Sequence, residues 1–207
     1  MIKVLIVDDQ RMVREMIKLN LEKLENIKIV NSIENAQMAE MFCSNGQIDL
    51  IIMDICTANG ESGLEASRNI KKYYPNVKII IVTSMPEHSF IEKAKDIGCD
   101  SFWYKDFDKI SFIEVVEKTL NGEKIYPDRT PTIEIGLAKS YEFTSRELEV
   151  LRELVNGSTH LEISENLDIS INTVKFHIKN LLSKTGYTNS MQLVIDVVNK
   201  KLILPEF

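Results

Sequence analysis

The sequence predicts an α/β domain built on a parallel sheet, followed by a small all-α domain. Three observations carry that prediction. Short β-rich runs alternate with amphipathic stretches through the first 120 residues. Those runs stop at a stretch rich in Gly and Pro. Beyond it the chain is punctuated by helix start and stop signals at short intervals.

The β-rich runs are IKVLIV (2–7), IKIV (27–30), DLIIM (49–53), KIIIV (78–82) and SFWY (101–104). Between them lie helical segments of about 11 to 15 residues, the pattern of βαβ units. Ser62 with Glu65 fits a capping box, Pro86 suits a first helical position, and Asp106 can cap a last helix that ends near Asn121-Gly122. Five βα repeats make a doubly wound, flavodoxin-like (βα)5 sheet over residues 1–121. Residues 122–140 hold Gly122, Pro127, Pro131 and Gly136 with little periodicity, and read as an exposed connector.

From residue 141 to 207 the expected elements are all helical. Thr144 as N-cap, Glu147 reaching back and Phe143 packing on Leu148 form a capping box with a hydrophobic staple, and the helix they start ends at Asn156-Gly157. Thr159 and Glu162 repeat the box for the short helix LEISENL. After the DIS turn, Ser170 caps a third helix from Ile171 to about Lys184, and a fourth covers roughly Ser190 to Asn199. A short helix, a tight turn and a longer helix make a helix-turn-helix unit.

Composition narrows the function classes. The 207 residues are 44% hydrophobic, enough for two packed cores. Cys43, Cys56 and Cys99 are too scattered for a disulfide framework or a CxxC metal site. The apolar run after Met1 stops at Asp8, short of a signal peptide or membrane span, so a cytoplasmic protein with no membrane partner is expected. Net charge is −6, which gives no global sign of nucleic acid. Locally the sign changes: residues 171–184 contain Lys175, Lys179 and Lys184 and no acid.

In open α/β sheets ligands bind outside the carboxyl ends of the strands. Those ends carry Asp8 and Asp9, Asp54, Thr83 and Lys105. Three neighbouring carboxylates repel unless a cation joins them, and hard oxygen ligands suit Mg²⁺. Asp54, at the end of a buried strand, can then act as nucleophile toward a phosphoryl group, with Lys105 and the Thr83 hydroxyl on its oxygens.

These residues resemble the receiver domain of bacterial two-component response regulators. The resemblance implies that Asp54 accepts phosphate from a sensor histidine kinase. VDDQ supplies the acidic pair, IIMD the acceptor, IVTS the switch Thr83, and FWYKD both Lys105 and the aromatic switch Phe102. It also implies metal ligation by Asp8, Asp9, Asp54 and the backbone carbonyl of Cys56. The loop ICTANGESG departs from the family: it lacks a Met-Pro turn, and Gly63 comes nine residues after Asp54. Cys56 and Met85 stand where family side chains position the attacking water, and both are poor hydrogen bonders, so a long-lived aspartyl phosphate is expected.

Residues 143–194 are similar to the LuxR-type (NarL/FixJ) DNA-binding domain, on SREL, Gly157, EIS, the DIS turn and TVKFHIKNLLSKTG. Leu161 departs from it, since a basic or polar residue is common there. On the third helix Val174, Ile178, Leu181 and Leu182 repeat at core spacing, leaving Lys175, Phe176 and Lys179 for the major groove. Lys175 and Lys179 can donate to guanine, Phe176 can meet a thymine methyl, and Asn172, Thr173, Asn180 and Lys184 are placed for phosphates. His177 reads as a structural or phosphate-contacting residue, and His88 and His160 as surface residues. Met191, Val194, Ile195 and Val198 form an apolar stripe on the last helix, which the family uses to pair DNA-binding domains.

Together these features predict a phosphorylation-switched regulator that binds double-stranded promoter DNA as a homodimer and is not an enzyme beyond its own phosphoryl transfer and slow dephosphorylation. A phosphorylation-independent DNA-binding protein is one alternative. A phosphatase of the haloacid-dehalogenase type needs DxDxT after the first strand, which DDQRM does not supply.

Overall fold

The computed structural model describes residues 1–44, 46, 48–58, 62–105, 110–200, 202, 203 and 205, with the His88 side chain left aside. The chain divides into two compact units: Met1–Ser84 with Phe90–Arg129, and Thr130–Phe207, with which the segment Met85–Ser89 groups.

The first unit is a five-stranded parallel sheet. Its strands are β1 (Ile2–Val7), β2 (Ile27–Ile33), β3 (Leu50–Met53), β4 (Lys78–Thr83) and β5 (Ser101–Tyr104), in the order β2-β1-β3-β4-β5. The helices are α1 (Arg11–Leu21), α2 (Ala39–Ser44), α3 (Gly63–Tyr73), α4 (His88–Ile97) and α5 (Phe112–Leu120). β3 and β5 are buried along their whole length and β4 at every residue after Lys78, as strands covered on both faces must be. One face of the sheet, through Val4, Ile6, Leu50, Ile52, Ile80, Val82 and Trp103, packs on Ile17 and Leu21 of α1 and on Phe112, Val115 and Val116 of α5. Alternation sends Leu5, Ile51, Ile79, Ile81 and Phe102 to the other face.

Register brings the strand ends together. Val7 lies beside Met53, Met53 beside Ile81, and Thr83 beside Tyr104. The residues that follow these positions therefore share one rim.

Several local expectations shift. α1 and α3 span 11 residues each as expected, whereas α2, α4 and α5 are shorter at six, ten and nine. Ser62 caps α3 by accepting from the Glu65 amide. α4 begins at His88, two residues beyond Pro86. α5 is capped by Ser111, whose side chain accepts from the Glu114 amide, and not by Asp106, which lies outside the described residues.

The second unit contains α6 (Ser145–Val155), α7 (His160–Asn166), α8 (Ile171–Thr185) and α9 (Ser190–Asn199). Thr144 with Glu147 and Thr159 with Glu162 form reciprocal capping boxes. Gly186, at φ +76°, closes α8 in the left-handed conformation. Phe143, Leu151, Leu181, Leu193 and Val197 build one core cluster, and Val150, Ile163, Val174 and Ile178 another.

The stretch 122–140 is more than an exposed connector. β6 (Glu134–Ile135) and β7 (Ala138–Lys139) form an antiparallel hairpin, and Ile135 is buried in the first helical cluster. The Gly136 amide donates to Asp196 on α9, and the Leu137 amide to the Thr185 carbonyl. Two-residue strands leave no alternating pattern, so tertiary contacts alone define them.

Candidate functional site

Asp8 and Asp54 follow directly on β1 and β3, and Lys105 on β5. The Asp54 amide donates to the Val7 carbonyl and the Lys105 amide to the Thr83 carbonyl, so backbone bonds between neighbouring chain segments set their spacing. Asp8 and Asp54 are 1% and 5% exposed, while Asp9 faces solvent. Oxygens of the three carboxylates lie within 4.8 Å of one another.

One ammonium spans the two buried acids. Lys105 Nζ lies 2.6 Å from Asp8 Oδ2 and 3.3 Å from Asp54 Oδ1. The Gln10 amide donates to Asp8 Oδ1 and the Ile55 amide to Asp54 Oδ1. Burial pushes the Asp54 carboxyl up to about 7, with Lys105 pulling it down and Asp8 adding to the rise. Burial also works against the Lys105 ammonium, but Asp54 and Asp8 outweigh it and hold its pKa above the ordinary value. For Asp9, burial and then the charge of Asp8 raise the carboxyl. The pocket thus holds more negative than positive charge, and its hard oxygen donors suit a small divalent cation such as Mg²⁺.

Arg14 is a contributor that sequence reasoning passed over. Its guanidinium donates to the Asp8 carbonyl at 2.6 Å and the Asp9 carbonyl at 3.0 Å, bracing the acidic turn from α1. Its spacing, six residues after Asp8, was the available signal.

Thr83 is fully buried at the end of β4. Phe102 is 1% exposed, with its ring edge-on to Tyr104 at 5.0 Å between centroids. Trp103 points to the opposite face, against Phe112 and with its indole N–H on the Ile110 carbonyl. Cys56 is half-buried and bridges Ser62 in antiparallel fashion, closing the base of the loop after Asp54. Asn59, Gly60 and Glu61 of that loop lie outside the described residues.

In the second unit, α8 separates its faces as its spacing requires. Val174, Ile178 and Leu181 are buried, while Lys175, Phe176 and Lys179 are exposed, Phe176 by 59%. Asn172 is exposed, and Thr173 and Asn180 are half-buried. Thr173 is shared with the helix cap, its amide and hydroxyl both bonding to the Ser170 hydroxyl. Lys184, expected among the phosphate contacts, has partners within its own unit. Its ammonium is committed inside the unit, 2.6 Å from Glu147 Oε2 and bonded to the Glu142 carbonyl. On α9, Leu193 and Val197 fill the core, whereas Met191 and Ile195 are 67% and 52% exposed and Val194 and Val198 half-buried. Leu161 is exposed at the start of α7.

A receiver-like acidic pocket in one unit and a helix-turn-helix in the other define a regulator built from a signal-input and a DNA-binding module. Family comparison agrees on both: residues 4–117 match the response regulator receiver domain, and residues 142–197 match the bacterial regulatory proteins of the luxR family. The chain belongs to the response regulators that carry a LuxR-type DNA-binding domain, a family of transcription regulators. It is 33% identical to the response regulator protein VraR of Staphylococcus epidermidis, over 98% of this chain and 99% of that protein. VraR of Staphylococcus aureus is equally similar, at 33%. Among solved structures, an RcsB–DNA complex superposes with a TM-score of 0.59 at 21% identity, covering 95% of this chain and 97% of that one. A structure of two RcsB dimers bound to two parallel DNAs gives 0.58 at 21% identity, over 95% and 97%. Among the described residues, no helix is long and apolar enough to cross a membrane.

Proposed function

We propose that the chain is a phosphorylation-switched transcription regulator of the cytoplasm. In this reading Asp54 accepts a phosphoryl group from a sensor histidine kinase, and the phosphorylated chain binds double-stranded promoter DNA as a homodimer. The observation that carries it is the Lys105 ammonium spanning Asp8 and Asp54 inside a pocket of three carboxylates.

An Asp54 oxygen attacks phosphorus as the bond from phosphorus to the donor histidine nitrogen breaks, and the imidazole leaves with that electron pair. Asp8, Asp9, Asp54 and the Cys56 carbonyl would hold Mg²⁺, which when bound supplies positive charge to the phosphoryl oxygens. Lys105 neutralises a further oxygen, and the Thr83 hydroxyl donates to another. Asp54, being buried, presents a nucleophile with little water to displace. Rearrangement at Thr83 and Phe102 then changes the receiver surface.

Lys175, Phe176 and Lys179 are proposed to read base edges in the major groove, with Asn172, Thr173 and Asn180 on phosphates. The stripe of exposed Met191 and Ile195 with half-buried Val194 and Val198 is proposed to pair two copies on adjacent half-sites. A second unit with eight Lys and Arg against nine Asp and Glu from residue 139 onward binds phosphates weakly alone, which favours pairing.

Incubation with Mg²⁺ and acetyl phosphate, followed by mass spectrometry, tests the reading. A phosphate-sized mass gain is expected, absent in Asp54→Ala. Tighter binding to DNA duplexes selected from a random pool should accompany it. Unchanged mass with undiminished DNA binding would replace this reading by a phosphorylation-independent one.

A further inference from the structure

The chain does not run straight from α5 into the rest of the connector. Gly122, at φ +91°, reverses it after the Asn121 cap, and the next residues double back along the edge of β5 that faces away from β4. Three contacts tie this strap down. The Phe102 amide donates to the Ile125 carbonyl at 2.8 Å. The Ile125 amide donates to the Ser101 hydroxyl, itself paired at 2.6 Å with the buried Thr119 hydroxyl of α5. The Tyr126 hydroxyl donates to the Cys99 carbonyl at 2.6 Å, and the Lys95 ammonium of α4 lies 5.2 Å from the centre of its ring.

The strap therefore touches β5, α5 and α4 around Phe102, three residues before Lys105. Ile125 also packs against the sheet core that holds Trp103 and Val115. A hydrogen bond of 2.8 Å has no slack, so β5 cannot move at Phe102 without dragging or releasing Ile125. The same backbone leads on through Tyr126 to Arg129, where the unit ends.

We propose that residues 123–126 are the output element of the receiver: the strap turns a displacement of β5 at Phe102 into a displacement of the connector, and Tyr126 is the positioning residue that anchors it. The proposal rests on the phosphorylation reading above. Its rival is a passive role in which the strap only covers an edge strand. The two differ in what phosphorylation does. An edge cover keeps its bonds in both states, whereas an output element changes them together with β5.

The test uses the full chain with Mg²⁺ and acetyl phosphate, phosphate uptake being read by mass. Hydrogen exchange is then compared before and after labelling. Peptides spanning 99–104 and 122–128 are expected to change protection together. In Tyr126→Phe, the rate of labelling should stay at the parent value, while the phosphorylation-dependent gain in affinity for selected DNA duplexes falls about fivefold, the worth of one lost hydrogen bond. Should Tyr126→Phe fold poorly, Ser101→Ala removes the acceptor of the Ile125 amide and is expected to lower the same gain. Identical exchange in both peptides of a fully phosphorylated chain, or an undiminished gain in both variants, overturns the strap proposal alone. Absence of the phosphate mass overturns the phosphorylation reading and the strap with it.

Discussion

Gly63→Ala probes the loop that departs from the family. Gly63 opens α3 and its amide donates to the Ile55 carbonyl, holding it against the strand end that carries Asp54. A Cβ there would lie 1.8 Å from the Asp54 carbonyl oxygen and 2.9 Å from its carbonyl carbon. Both atoms are backbone, so no side chain can swing aside. Restoring a 3.4 Å contact requires a separation of about 1.6 Å between α3 and the Asp54 backbone. Overpacking of this kind costs about 1–3 kcal/mol. With a urea slope of about 1–3 kcal/mol per M, the unfolding midpoint of the first unit should fall by about 1 M. Trp103, the single tryptophan, sits in the core of that unit and reports its unfolding by fluorescence. A displacement on the order of 1 Å at a reacting group also costs about 100-fold in rate, so acetyl phosphate labelling of Asp54 should slow by that order. Labelling at the parental rate with an unmoved midpoint would refute the claim that close approach, rather than chain flexibility, dictates glycine here.

Cys56→Asn restores a hydrogen-bonding side chain two residues past the acceptor; the half-life of the phosphorylated chain, followed by mass after removal of acetyl phosphate, should shorten severalfold, and an equal or longer half-life counts against the role assigned to Cys56. Lys184→Met should destabilise the second unit by about 1 kcal/mol, discounted for its partial exposure, while leaving the salt dependence of DNA binding unchanged; a phosphate contact would instead lower that slope by about 1. Burial alone would raise the Glu147 carboxyl, but the Lys184 ammonium and the Thr144 amide and hydroxyl outweigh it and hold the group below its ordinary value of 4.5. Its stabilising contribution is therefore complete well above pH 4.5 and disappears as pH falls through the lowered folded value. Helical content of the full chain followed in acid should show this loss, and Glu147→Gln should remove that part of the pH dependence.

How legible the molecule was in its sequence depended on how far apart the interacting residues lie. The pocket was readable because strand ends are marked locally: an apolar run ends, a polar residue follows, and parallel register then aligns all such residues on one rim. α6 and α7 were readable because a capping box spans only four residues. Lys184 was not, because its partner Glu147 belongs to another helix, 37 residues away. Phosphate contact and internal ion pair present the same Lys in the sequence. The hairpin of β6 and β7 was hidden for a related reason, its strands being shorter than one period of any pattern.

The same distinction separates what Asp54 and Glu147 do with their burial. Glu147 gathers a capping amide, a hydroxyl and an ammonium, and the result is a carboxylate more stable than in water, as a structural ion pair should be. Asp54 shares one ammonium with Asp8, which holds the closer position at 2.6 Å, and its carboxylate is less stable than in water. Stability alone would not keep so poorly compensated a charge at the end of a buried strand, since an apolar residue there would remove the penalty. In the proposed reaction, a cation and a phosphoryl group would supply what the pocket lacks: positive charge beside the carboxylates, and oxygens on which Lys105 can rebalance. The deficit that makes Asp54 a poor structural residue is what would suit it to the proposed acceptor role.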